Sequence, residues 1–172
     1  MNIKQILAQR KLRKLAGSNK HNPILPDLNS VKLIGVIWHP TQREEFQFLK
    51  NYFKKEQVIF RGFCVFEEGV NPQSNSNTLT TADLNWYGFP KLEKINDFTS
   101  VNFDVLLNIA MNQNIVIETI TLLSNAKFKV GSSPNEKNYF DLNINIGEND
   151  NAMYLAEQQI FYLAQLNKKT SK

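Results

Sequence analysis

The order of apolar runs constrains this chain more than any single motif. "VKLIGVIW" (31–38) is a β-branched, apolar run that suits a strand covered on both faces. A helix follows at once: Thr41 and Glu44 read as a T-x-x-E capping box, Phe46, Leu49 and Phe53 recur at helical spacing, and Lys54 and Lys55 complement the negative end of the helix dipole. "VIFRGFCVF" (58–66) is a second strand, so residues 31–66 spell a β-α-β unit with a right-handed crossover. The pattern returns in "FDVLLNIA" (103–110), "NQNIVIETITLLSN" (112–125, with Val116, Ile120 and Leu123 inward) and "AKFKVG" (126–131). Two such units predict an α/β fold with helices on both faces of a mostly parallel sheet.

The remaining segments are assigned around these units. "EEGVNPQSNSNTLTTAD" (67–83) reads as a long polar loop, "LNWYG" (84–88) as a short strand, and "FPKLEKINDFTS" as one or two helical turns. "YFDLNINI" (139–146) alternates strictly between apolar and polar, the signature of a half-exposed strand. Only seven residues separate it from the strand before, too few for a helical crossover, which predicts an antiparallel edge strand open to pairing with another subunit. "NAMYLAEQQIFYLAQL" (151–166) closes the chain as a helix with Met153, Ala156, Ile160 and Leu163 inward and Asn149 or Asp150 as cap.

Charge is distributed unevenly. Residues 1–20 hold Lys4, Arg10, Lys11, Arg13, Lys14 and Lys20 and no acid, +6 in all, which leaves −2 on the rest of a chain of net +4. Ala8, Leu12, Leu15 and Ala16 fall on one side of a helical wheel and the cations on the other, with Ile3, Ile6 and Leu7 off the apolar stripe. Gly17 suits a left-handed C-cap, and the proline-containing stretch after it reads as a linker. The expected organisation is a basic N-terminal helix (1–20), a linker (21–30), one α/β domain (31–167) and a tail (168–172). A length of 172 residues with 42% hydrophobic content suits one core. One cysteine and two histidines allow neither an internal disulfide nor a zinc set. Neither a secretory apolar run nor a membrane-spanning one occurs, and a cytoplasmic setting is expected.

"FDVLLNIA", the helix, and "LSNAKFKVG" resemble the segment "YDLVIDL…SGAKRRIG" of the N-terminal half of heptosyltransferase-type glycosyltransferases. Over its whole length the chain resembles a family of uncharacterised bacterial proteins known as a domain of unknown function. The glycosyltransferase resemblance implies a Rossmann-like, three-layer, doubly wound sheet. It also implies what is missing. The second half, which holds the donor nucleotide in that family, has no counterpart here; "WHPTQREE" replaces the glycine-rich acceptor loop, and Asn108 stands where the family often has aspartate.

Open α/β sheets bind ligands at the carboxyl ends of their strands. The polar residues expected there are His39, Glu67, Glu68, Asn112, Ser132 and Ser133. A histidine before Pro40 at a strand-to-helix turn has the chemistry of a general base or an anion contact, and equally that of a capping group. The chain has no G-x-G-x-x-G after its first strand and no Walker loop, and no cofactor is expected. Cys64 reads as a small core residue, Asp104 and Asp141 as solubility or capping acids, and Trp86 and Tyr87 as rings buried against a helix, with base stacking as the alternative. For the basic segment three readings stand: a solvated helix docking Leu12 and Leu15 on its own domain, an arm laid along RNA phosphates, or a contact with an anionic membrane, for which an anchoring Trp or Phe is lacking. These lead to a noncatalytic binding or accessory protein with RNA, including the ribosome, as partner through Lys4, Arg10, Lys11, Arg13, Lys14 and Lys20. The alternative is a small ligand-binding domain or enzyme working at the strand ends near His39.

Overall fold

A computed structural model of the chain describes residues 1–54, 58–66 and 77–170, with side chains to residue 166. In chain order the elements are α1 (Ile3–Ser18), β1 (Leu33–Trp38), α2 (Arg43–Lys54), β2 (Ile59–Val65), β3 (Thr78–Leu79), α3 (Leu92–Thr99), β4 (Val105–Asn108), α4 (Ile115–Leu123), β5 (Lys129–Gly131), β6 (Leu142–Asn143) and α5 (Ala152–Thr170). The strands form one parallel sheet in the order β3-β2-β1-β4-β5-β6, a doubly wound, Rossmann-like arrangement whose direction of winding reverses between β1 and β4.

Both faces of the sheet are covered, which explains why the central strands are apolar without alternation. Ile34, Val36, Val105, Leu107 and Val130 pack with Leu49 and Phe53 of α2 and with Leu155, Ala156 and Leu163 of α5. Ile37, Phe63, Val65, Phe103 and Leu106 pack with Ile95 and Phe98 of α3 and with Val116, Ile117 and Ile120 of α4. A third cluster lies outside α4: Ala8 and Leu12 of α1 are buried with Leu122 and Phe89. The helix α1 is therefore a fourth layer seated on α4, with Leu15 and Ala16 beside the buried pair.

Several local expectations are corrected. The start of α2 uses a 3-10 turn, Pro40–Gln42, in which the Gln42 side chain accepts from the His39 N–H at 2.9 Å; this, rather than the Thr41–Glu44 box, closes the turn. Gly17 lies inside α1 and has no left-handed conformation. The helix ends at Ser18, whose hydroxyl donates to the Leu15 carbonyl, and the Asn19 N–H donates to the same oxygen. Residues 84–88 form a tight turn with a single antiparallel bridge, Leu84 to Pro90, while the real strand, β3, lies in the stretch read as loop. Residues 67–76 of that loop are outside the described residues. At the other end, Asn151 caps α5 by accepting from Met153 and Tyr154 N–H, and Leu155, Ala156, Gln159 and Leu163 form its buried face.

The largest correction is the edge strand. β6 is parallel to β5, with Val130 opposite Leu142 and Gly131 opposite Asn143. The crossover requirement scales with strand length, and β5 has only three residues, so about three extended residues suffice to return to its start. The connection folds back over the sheet margin. Phe140 lies against Gly131, where any side chain would collide with its ring, and the Asp141 N–H donates to the Lys129 carbonyl at 2.8 Å.

Candidate functional site

The reversal between β1 and β4 is where such sheets open a crevice, and here it is lined by buried side chains that bond to the backbone. His39 leaves the end of β1 with 4% exposure, and its Nδ1–H donates to the Val65 carbonyl at the end of β2, 2.7 Å away. Gln42 Nε2 donates to the Ile109 carbonyl at 2.7 Å, and Gln159 Nε2 reaches from α5 to the Asn108 carbonyl at 2.8 Å. The Asn108 side chain is fully buried, accepts from the Ala110 N–H at 2.9 Å and faces Gln113 and Thr121. These groups satisfy the backbone where two strands diverge, a need that any buried carbonyl imposes. His39 is held as a structural donor within this network.

Among the described residues, the other strand-end candidates share no contact with His39. Asn112 is exposed in the β4–α4 connection, and Glu67 and Glu68 lie outside the described residues. Ser132 and Ser133 border a cavity of about 230 Å³ with Met111, Pro134 and the 145–150 loop; His39 is not among its walls. Ser133 is tied to β6 through both its N–H and its carbonyl, which meet the Asn143 side-chain amide at 2.8 and 3.0 Å. Gln42 and Gln159 were not picked out by sequence reasoning, since a glutamine signals nothing until the carbonyl it satisfies is known.

A second polar cluster sits where α1 meets the sheet margin. Lys129 is buried, its Nζ donates to the Leu122 carbonyl at 3.0 Å, and Asn19 Nδ2 donates to the same oxygen at 2.7 Å. Burial pushes the Lys129 ammonium down to about 8, against the upward pull of Asp141. Asp141 accepts from His21 Nε2 at 2.9 Å and from the Lys129 N–H at 2.8 Å. Asp104 is engaged elsewhere: burial pushes its carboxyl upward, but the Lys127 ammonium at 2.7 Å and the N–H groups of Lys32 and Leu33 outweigh this and hold it below the usual range. The Cys64 thiol is buried and pushed up to about 12, the state of an inert core residue. Among the described residues no group of three His, Cys, Asp or Glu side chains could hold a metal ion, and no helix is long and apolar enough to cross a membrane.

Of the basic residues, Arg10, Arg13 and Lys14 lie away from the buried Ala8–Leu12 side of α1, Lys4 borders a cleft between the helix and Tyr87, and Lys20 lies past the helix end. Lys4, Arg10, Arg13, Lys14 and Lys20 are exposed, and among the described residues none is ion-paired with a carboxylate. Lys11 differs: it is half-buried, with its ammonium over the Phe89 ring, 4.8 Å from the centroid. The helix start is fixed by a reciprocal pair in which Gln5 N–H donates to Asn2 Oδ1 and Asn2 N–H to Gln5 Oε1, both at 2.9 Å. Of the two neighbouring rings, Tyr87 is half-buried and Trp86 is 67% exposed, so the burial expected for the indole does not occur.

No curated protein matches the chain, and the likeness to heptosyltransferase-type enzymes gains no support. One family model does match, over residues 4–166, so it takes in α1 together with the whole sheet and most of α5. The chain belongs to DUF6913, a family of unknown function.

Proposed function

We propose that the protein is a noncatalytic RNA-binding accessory protein whose contact surface is the outer side of α1, with structured RNA such as that of the ribosome as partner and the cytoplasm as its setting. One observation carries this reading: α1 is seated by Ala8 and Leu12, which leaves Arg10, Lys14 and, beside Tyr139, Arg13 exposed, none of them ion-paired with a carboxylate among the described residues. Cations fixed on a seated helix meet a phosphate row with less loss of freedom than cations on a loose arm. Their contribution is sequence-independent and falls steeply with salt. The strand-end alternative is weakened by the buried amides of Gln42, Asn108 and Gln159, which already serve the backbone.

The test replaces charge and keeps the seat. Arg10→Gln, Arg13→Gln and Lys14→Gln together are expected to weaken binding to total RNA by at least tenfold at about 100 mM salt and to reduce the log–log salt slope by about 2 to 3. Wild-type protein should co-sediment with ribosomes at low salt and the triple variant should not. Unchanged RNA affinity in the folded triple variant overturns the reading.

A further inference from the structure

Trp86 is exposed at the tip of a tight turn. Asn85 Oδ1 accepts from the Tyr87 and Phe89 N–H groups at 3.2 and 3.0 Å, the Asn85 N–H donates to the Phe89 carbonyl at 2.9 Å, and Gly88 takes the left-handed conformation, φ 79°, that completes the reversal. The indole meets Tyr87 edge to face, with centroids 5.3 Å apart, and Tyr87 leads inward to Phe89 at 6.3 Å. Phe89 is fully buried under α1. The turn and the helix thus share one buried cluster. They border a cleft of about 480 Å³ whose walls include Lys4, Gln5 and Ala8 of α1, Tyr87 and Gly88 of the turn, and Ile115 of α4.

We propose that Trp86 and the α1 cations form a single surface for unpaired RNA, with phosphates along α1 and a base stacked on the indole. This rests on the phosphate-binding reading above and adds to it a preference for single strands, because a duplex keeps its base faces covered whereas an unpaired base offers one to an exposed ring. Lys4 and Lys14 stand about 15 Å apart along the helix axis, room for about four phosphates of a stacked strand. A bilayer is the competing polyanion with use for an exposed Trp. It is disfavoured because an interfacial helix must put a broad apolar face into the lipid, whereas Ala8 and Leu12 of α1 are already pressed on α4 and, of its large apolar residues, only Ile3 and Ile6 remain exposed among its cations.

The probes are a labelled single-stranded RNA octamer, the same octamer annealed to its complement, heparin, and phosphatidylglycerol vesicles, each titrated against the full chain, Trp86→Ala, Trp86→Phe and the triple cation variant. Trp86→Ala should bind the single strand about tenfold more weakly with duplex and heparin affinities unchanged, Trp86→Phe should keep most of the single-strand affinity, and indole emission should be quenched by the octamer. Trp38, stacked on Phe46 at 4.5 Å, gives a background that persists in Trp86→Ala. An unchanged single-strand affinity in Trp86→Ala overturns the stacking while a charge-dependent loss in the triple variant preserves the phosphate reading. Equal loss for duplex and single strand also overturns the stacking. A blue-shifted emission with vesicles bound more tightly than RNA overturns both.

Discussion

Lys129 is the residue with the clearest conflict between position and chemistry. It stands in a strand beneath α4, and its ammonium meets the last turn of that helix, where carbonyl oxygens lack partners and the dipole favours a cation. The charge is still poorly solvated. With its proton held less tightly in the fold, at about 8 against an ordinary 10.5, the unfolded chain binds the extra proton between these values. The penalty is therefore fully present below pH 8, and stability rises as pH climbs from 8 to 10.5. Urea midpoints measured across that range should rise in wild type relative to Lys129→Met, by an amount equivalent to at most about 3 kcal/mol; parallel profiles would show that the ammonium is better solvated than its burial implies. At this scale the sequence is least legible. The pattern "AKFKVG" places Lys127 and Lys129 on one face of a strand, yet the first is exposed and paired with Asp104 while the second is buried under a helix. Trp86 fails in the opposite sense, because hydropathy assigns an indole to the interior and cannot register a turn whose hydrogen bonds hold it outside.

Among the elements, legibility follows length. β1 and β4 are readable as unbroken apolar runs buried on both faces, and α2 as a helix whose apolar residues recur at helical spacing on one side. β3 has two residues inside a polar stretch and provides no period at all. The alternation of residues 139–146 marks the sheet margin, and Leu142, Ile144 and Ile146 do face the α5 side, but only Leu142–Asn143 pair as a strand, which runs parallel against a loop rule that assumes strands of ordinary length. The contact that makes the short return work is Phe140 on Gly131. Gly131→Ala should cost about 2 kcal/mol by overpacking without any backbone strain, since Gly131 is not in the left-handed region, and this is measurable by urea denaturation. A neutral result would mean that the 132–141 connection can lift from the sheet without loss.

For the whole molecule, the basic helix belongs to the body. It shares a core with Leu122 and Phe89, and the segment after it is strapped down by Asn19 to Leu122, His21 to Asp141 and Ile24 to Lys127. Deleting residues 1–20 should therefore lower stability by about 3 kcal/mol and raise binding of a hydrophobic dye, as Leu122 and Phe89 are uncovered. A truncated protein with wild-type melting temperature and no dye binding would show α1 to be an appendage after all. Net charge divided along the chain located the cations in advance, but it says nothing of seating, which depends on residues far away in sequence. The strand-end crevice is similarly legible as a place and illegible in its lining: its position follows from strand order, whereas the engagement of Gln42 and Gln159 depends on carbonyls of β4 and the turn after it.

The strap from α1 to the far margin of the sheet also sets a schedule for biosynthesis. Asn19 waits 103 positions for Leu122 and His21 waits 120 for Asp141. At roughly 5–20 residues per second, a positively charged helix leaves the translating machine several seconds before its berth has been made, and the nascent chain passes that interval beside one of the densest collections of phosphate in a cell.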